Sequence, residues 1–137
     1  YLEAFSSPEE NKTLVAVAVL GGIFGEGIDL VGDKLTGVSI VGVGLPQISP
    51  ERNIMREYYD EEYQGGFLFA YQYPGMNKVL QAAGRLIRSE EDRGFLLLID
   101  ERYGHNGYRS LLPEEWIIQE ADSLAELKSN LEESQIL

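Results

Sequence analysis

A chain of 137 residues with 44% apolar and 25% charged residues has the composition of one globular domain with a core. Its net charge of −12 sets the average field against phosphate backbones, so free nucleic-acid binding needs a local basic patch. No cysteine is present, which excludes disulfides, thiolate metal sites and a cysteine nucleophile, and one histidine, His105, leaves a zinc site without support.

No apolar run approaches the roughly 18 residues of a membrane span and no signal-peptide pattern opens the chain, so no membrane partner is expected. The chain begins at Tyr1 without an initiator methionine, and it reads as a fragment of something longer or a processed product. Residues 1–12 mix apolar and acidic side chains and close in a polar, proline-containing loop; Leu2, Ala4 and Phe5 fit the end of a helix. Thr13 to Leu20 is a continuous apolar, β-branched run, the pattern of a strand covered on both faces.

That run feeds into Gly21-Gly22-Ile23-Phe24-Gly25-Glu26-Gly27-Ile28-Asp29. Glycines at this density are tolerated where backbone turns tightly or approaches another group, so the loop either cradles phosphate or turns the chain at a strand end. The spacing Gly22-x-x-Gly25-x-Gly27 reverses a dinucleotide fingerprint, which disfavours Rossmann binding.

A second apolar strand is predicted over Gly37 to Val43, leaving through Gly44-Leu45-Pro46. A loop into a helix follows over Gln47 to Asp60, with Ser49 as N-cap, Pro50 in the first turn and Glu51 favourable to the helix dipole. Tyr58, Tyr59 and Tyr63 read as helix packing rather than base stacking. Gly65-Gly66 breaks that helix, and Phe67 to Tyr73 reads as a short aromatic segment before Pro74-Gly75.

The next predicted helix, about Met76 to Ser89, carries Gln81, Arg85 and Arg88 at i, i+4 and i+7, on one face. Val79, Leu80, Ala83, Leu86 and Ile87 fall opposite them. Two arginines a turn apart suit a phosphoryl group, although any surface helix shows polar residues opposite its apolar stripe. Gly84 lies inside this helix at a cost of about 1 kcal/mol relative to alanine, which hints at close approach by a partner group.

Phe95 to Ile99 reads as a third buried strand. Asp100 and Arg102 follow it, where open parallel sheets place functional groups and where a local ion pair fits equally well. Residues 103–112 are turn-rich, His105 reads as a solvated loop residue, and Leu112 to Trp116 starts a short element with Trp116 as a buried anchor. Ser123 to Glu133 shows a helical stripe of Leu124, Leu127 and Leu131. Alternating apolar strands and helices predict an α/β domain with a mainly parallel sheet flanked by helices.

In this order the motifs resemble the second motor domain of the XPD and DinG branch of superfamily 2 helicases. Residues 21–29 look like its motif V, ending Glu26-Gly27-Ile28-Asp29, and Gln81 to Arg88 match its motif VI, Q-x-x-G-R-x-I-R, at every specified position. Asp92-Arg93-Gly94 and Asp100-Glu101-Arg102 repeat the D-x-G and D-x-R that follow.

The resemblance implies a RecA-like (P-loop NTPase-like) C-terminal lobe, with residues 1–137 a single fragment of it lacking strands upstream of Tyr1. It implies Arg85 and Arg88 as arginine fingers, Gln81 positioning the γ-phosphate or the attacking water, and Glu26, Gly27, Asp29 and Gly84 in the nucleotide cleft. Gly22 and Gly25 of the motif V loop would meet the DNA backbone. It further implies a cytoplasmic, bacterial protein that hydrolyses ATP with Mg2+ held mainly by a first motor lobe, moves 5′ to 3′ on single-stranded DNA, and in many members carries an iron-sulfur cluster in that first lobe. No G-x-x-x-x-G-K-[ST] sequence occurs here, so the phosphate-binding lysine has to come from elsewhere and the chain alone is expected to be inactive. The alternative from the residues alone is a non-catalytic acidic α/β module whose arginine helix binds a carboxylate or phosphorylated partner.

Overall fold

Residues 37–41, Gly-Val-Ser-Ile-Val, form the first strand, β1 (Gly37–Val41), and residues 95–99 form β2 (Phe95–Ile99). A computed structural model of the chain describes residues 13–22, 35–86 and 94–134. The two strands pair in parallel from Gly37 opposite Phe95 to Val41 opposite Ile99. A parallel pair needs a long crossover, and the 53 residues from Gly42 to Gly94 supply it, with two long helices among the described residues.

The first is α1 (Pro50–Tyr63). Ser49 sits in extended conformation and its Oγ accepts the Arg52 N–H at 3.3 Å, while Pro50 occupies the first turn, where a missing N–H costs nothing. The helix ends at Gln64, whose φ of 54° is left-handed and whose N–H reaches the Asp60 carbonyl. Gly65-Gly66 therefore follow the stop rather than make it. Gly66 is required for another reason: a methyl group there would collide with the Arg56 carbonyl, and its N–H donates to Asp60 Oδ1 at 2.7 Å.

The aromatic segment expected at Phe67 to Tyr73 is helical instead. A π turn over Leu68–Gln72 runs directly into α2 (Tyr73–Ala83), with the Tyr73 N–H donating to the Leu68 carbonyl five residues back. The cause lies in Pro74, which lacks the N–H that an α-helix would direct at Ala70 and whose ring crowds that turn. Widening the turn relieves the crowding.

Along α2 the buried residues are Gly75, Met76, Val79 and Ala83, one helical stripe, while Asn77 and Gln81 on the opposite row are exposed. Met76, Val79 and Val43 are the largest fully buried side chains, each contributing roughly 1.5–3 kcal/mol of hydrophobic stabilisation. They share a core with Ile40, Tyr103, Tyr108 and Leu112. Two glycines let α2 and the β1 exit approach backbone to backbone: a methyl at Gly44 would lie 2.7 Å from the Gly75 carbonyl, and one at Gly75 would lie 2.6 Å from that of Val43.

Four expectations need correction here. Residues 13–19 form no strand, and Val15, Val17 and Val19 are 79–83% exposed. A two-face-covered strand needs ladder partners on its edges, and among the described residues the sheet consists of β1 and β2 paired with each other. Leu20 alone of that run packs against the core. Second, α2 stops at Ala83 rather than continuing to Ser89. The bonding tightens there from four residues back (Gly84 N–H to Leu80, 2.9 Å) to three (Arg85 to Ala82, 3.3 Å; Leu86 to Ala83, 3.0 Å).

Third, β2 is half-buried with Ile99 exposed, because helices do not cover both of its faces among the described residues. Fourth, Leu112 to Trp116 is a turn closed by Trp116 N–H to the Pro113 carbonyl, and Trp116 is only half-buried at the core margin.

Tyr59 stacks on Phe69 (ring centroids 4.7 Å apart) and Tyr63 meets the same ring at 5.9 Å, so these two pack α1 onto the π turn, while Tyr58 is exposed with its ring against Tyr59. At the C-terminal side, after a short α3 (Asn106–Arg109), Ser123 Oγ accepts the Glu126 N–H as the N-cap of α4 (Leu124–Glu133), and the Glu126 carboxylate accepts the N–H of Asp122 just before it. No residue of α4 is buried, so its leucine stripe is only partly covered.

Candidate functional site

The tight turn after α2 is held from below. Leu86 is buried and its Cδ1 lies 2.6 Å from where a methyl on Gly94 would be, with the Thr36 carbonyl 2.9 Å from the same point. Gly94 is thus the space into which Leu86 fits. The Phe95 N–H also donates to Thr36 at 3.2 Å, so the turn rests on the starting ends of both strands. Gln81 stands exposed in the last turn of α2, Gly84 is exposed just past it, and Arg85 is half-buried with its Nε shut off from solvent.

Gly84 ends the helix rather than lying inside it. Among the described residues, the atoms nearest a methyl placed there are the Leu80 and Gln81 carbonyls of its own helix, at 3.3 and 3.8 Å. No group from elsewhere among the described residues lies within 4 Å of that point, and Gly84 is exposed.

Gly22 is described; Gly25, Glu26, Gly27, Asp29 and Arg88 lie outside the described residues, as do Asp92 and Arg93. The start of the glycine loop is nevertheless placed. Gly21 has a φ of 78°, and a methyl on it would meet the Lys78 side chain, with Cδ and Cε at 3.1 Å and Nζ at 3.3 Å. Lys78 lies three residues before Gln81 on α2, so the onset of the loop and the helix that carries Gln81 are neighbours. Sequence reasoning passed over Lys78. Its signal was a lone cation one turn before the octet in a chain of net charge −12.

Asp100 and Arg102 do not join this group. They follow the far end of β2, whereas Leu86 and Gly94 mark its start; α2 itself, 11 residues, spans about 16 Å between the two ends. Arg102 donates bidentately to Asp100 (Nε to Oδ1 2.8 Å, Nη2 to Oδ2 2.7 Å), and Asp100 Oδ1 also accepts the Arg102 backbone N–H at 3.0 Å. These bonds hold the Asp100 carboxyl below its ordinary range and push the guanidinium upward. The local ion pair, capping the 3-10 turn Glu101–Gly104, accounts for both residues.

Tyr103 in that turn donates its hydroxyl to the Gly42 carbonyl at 2.7 Å, tying the far ends of the two strands together. Burial, and then the Asp100 charge, raise its phenol from 10 to about 12. A raised folded value means the neutral phenol is what the fold holds. Its contribution is complete below pH 10 and is lost as pH rises to about 12. Tyrosinate absorbance of the folded chain is expected to show one late-titrating phenol that Tyr103→Phe removes; a titration unaltered by that change would contradict the assignment.

His105 is exposed, and among the described residues no group of three or more His, Cys, Asp or Glu side chains is placed to hold a metal ion. Without cysteine, these residues cannot ligate an iron-sulfur cluster.

Comparison with known proteins fits this arrangement. The sequence profile of the helicase C-terminal domain matches residues 1–118. The chain is 30% identical over 122 residues to the general transcription and DNA repair factor IIH helicase subunit XPD of Schizosaccharomyces pombe, covering 86% of the chain and 15% of that protein. The XPD subunit of Arabidopsis thaliana is 34% identical over 114 residues, covering 79% of the chain and 14% of that protein. ATP-dependent DNA helicase DinG of Photobacterium profundum is 34% identical over 93 residues, 66% of the chain and 13% of that protein. The chain thus spans about one seventh of the length of these relatives.

Proposed function

This chain belongs to the helicase C-terminal domain family, with the α/β fold of a RecA-like lobe, and from that premise we propose that it is the second motor lobe of an ATP-dependent DNA helicase. In this reading it supplies half of a composite ATPase site. The observation that carries the proposal is the octet Gln81 to Arg88: it matches motif VI at every specified position, and its helix ends with Gln81 exposed beside a turn anchored on both strands.

Arg85 and Arg88 donate to the γ-phosphate in the transition state, and Gln81 orients that phosphate or the attacking water. Charge on a loose, metaphosphate-like transition state is spread over its oxygens, which is what a guanidinium fork is shaped to meet. Glu26, Gly27 and Asp29 belong to the loop that links this cleft to the bound strand, Gly84 borders the cleft, and Gly22 and Gly25 approach the sugar-phosphate backbone. Lys78, lying along Gly21, adds positive charge at the start of that loop in a chain of net charge −12. Nucleotide and Mg2+ are held mainly by the first lobe of the same parent protein, single-stranded DNA is the track, and an iron-sulfur cluster, where the parent has one, belongs to that first lobe.

The test compares the chain with its intact parent. The parent is expected to hydrolyse ATP in a manner stimulated by single-stranded DNA, and the purified chain to show no hydrolysis with or without the strand. Robust turnover by the chain alone would contradict the two-lobe reading, and a parent indifferent to single-stranded DNA would remove the helicase assignment.

A further inference from the structure

Pro74 leaves the Ala70 carbonyl without the N–H that an α-helical register would bring to it. Ala70 is fully buried, so the deficit cannot be met by bulk water. The donor comes from another helix: Arg52 Nη1 reaches the Ala70 carbonyl at 2.6 Å across 18 residues of sequence. Its neighbour Asn53 accepts the Tyr71 hydroxyl at 3.2 Å, and Gln72 Nε2 donates to the Gly107 carbonyl at 2.8 Å. Ala70, Tyr71 and Gln72, all buried residues of the π turn, are each tethered by a side-chain hydrogen bond, the first two to neighbouring residues of α1 and the third to α3.

A π turn rotates and lifts the helix that follows it relative to an α-helical path, and here the helix that follows is α2, with Gln81 in its last turn and Arg85 beyond it. We propose that Arg52 is a positioning residue for this site. By replacing the donor that Pro74 lacks, its guanidinium holds the π turn and so sets the rotation at which α2 presents Gln81 and Arg85. The proposal rests on the reading of those two residues given above.

The experiment uses the intact parent, assayed for strand-stimulated ATP hydrolysis at a temperature where each variant is folded by circular dichroism. Arg52→Ala and Arg52→Met, the second keeping an apolar stem without a donor, are expected to lower kcat by about tenfold to a hundredfold with KM for ATP changed by less than about twofold. Arg52→Lys, whose ammonium can still donate to the Ala70 carbonyl, keeps most of the rate. Pro74→Ala added to Arg52→Ala removes the cause of the π turn and returns the α-helical register, so α2 stays out of its rotation and kcat is expected to remain low even where the double variant is the more stable, which a general loss of stability would not predict.

Hydrogen exchange supplies a direct readout. Amides from Gly75 to Val79 exchange faster in Arg52→Met while those of β1 and β2 are unchanged. A folded Arg52→Met protein with unaltered kcat, or with unaltered exchange over α2, overturns the proposal. Arg85→Ala assayed alongside separates the two ideas: if it is inactive while Arg52→Met is fully active, only the positioning role fails, and if Arg85→Ala is itself fully active, the reading of the site fails first.

Discussion

In the intact parent protein, Arg85→Ala is expected to reduce strand-stimulated ATP hydrolysis by about 10³- to 10⁵-fold, the range an arginine finger contributes to phosphoryl transfer. The size follows from the chemistry. The guanidinium acts on charge that develops only as the γ-phosphoryl separates, so its removal acts on kcat and leaves nucleotide affinity, held by the other lobe, nearly unchanged. Arg85→Lys is expected to recover little, because a point charge cannot reproduce a planar fork. Leu86, and not Arg85, fills the space over Gly94, so that contact does not depend on the guanidinium. Measurement of kcat and KM for ATP with and without single-stranded DNA decides it. Turnover within a fewfold of the parent's would sink the role assigned to Arg85.

The second large effect is on stability. Gly75→Ala is expected to destabilise the fold by about 3 kcal/mol or more, at or beyond the upper end of ordinary overpacking. The added methyl would stand 2.6 Å from the Val43 carbonyl and 3.1 Å from both the Gly44 carbonyl carbon and the Leu45 nitrogen. These are backbone atoms and cannot move aside by changing rotamer. Relief requires α2 to back away from the β1 exit, which opens the contact between Met76 and Val79 on one side and Ile40 and Val43 on the other. Gly104→Ala is the matched control, since a methyl there meets nothing within 4 Å. Equilibrium denaturation of both variants tests the contrast; equal midpoints would show that the helix–strand approach carries no strain-sensitive contact.

The Gly75 contact also marks where reading along the chain stops being sufficient. Pro74-Gly75 looks like a break before a helix, because both residues disfavour helix interiors. In three dimensions the proline is accommodated by a wide turn and an arginine from α1, and the glycine is the point at which two backbones meet. Each reason lies far from position 75 in sequence. The same holds for residues 13–19, whose apolar, β-branched pattern is real but whose pairing depends on neighbours that a local pattern does not contain.

Lys78 belongs with these cases. Nothing in its immediate sequence joins it to Gly21, and their contact arises because Leu20 seats the chain against the core beside Gly44. Asp100 and Arg102 show the reverse: their spacing already offers a local ion pair as one of two readings, and the structure makes that bond and adds that they stand at the opposite end of β2 from the octet.

What the sequence by itself determined is therefore what short-range chemistry controls. The Ser49 and Ser123 caps, the apolar stripe of α2, the parallel β1 and β2 runs and the identity of the motif octet are all set by neighbours within a turn or a strand. Tertiary structure alone decided where α2 begins and ends, that Gly84 closes it, and that the turn bearing Arg85 rests on Gly94 and Thr36. It also decided that the Ala70 carbonyl is met by Arg52. The physical reason is that burial, close backbone approach and the satisfaction of a buried carbonyl are properties of groups brought together across the chain, and local propensity yields to them wherever they conflict.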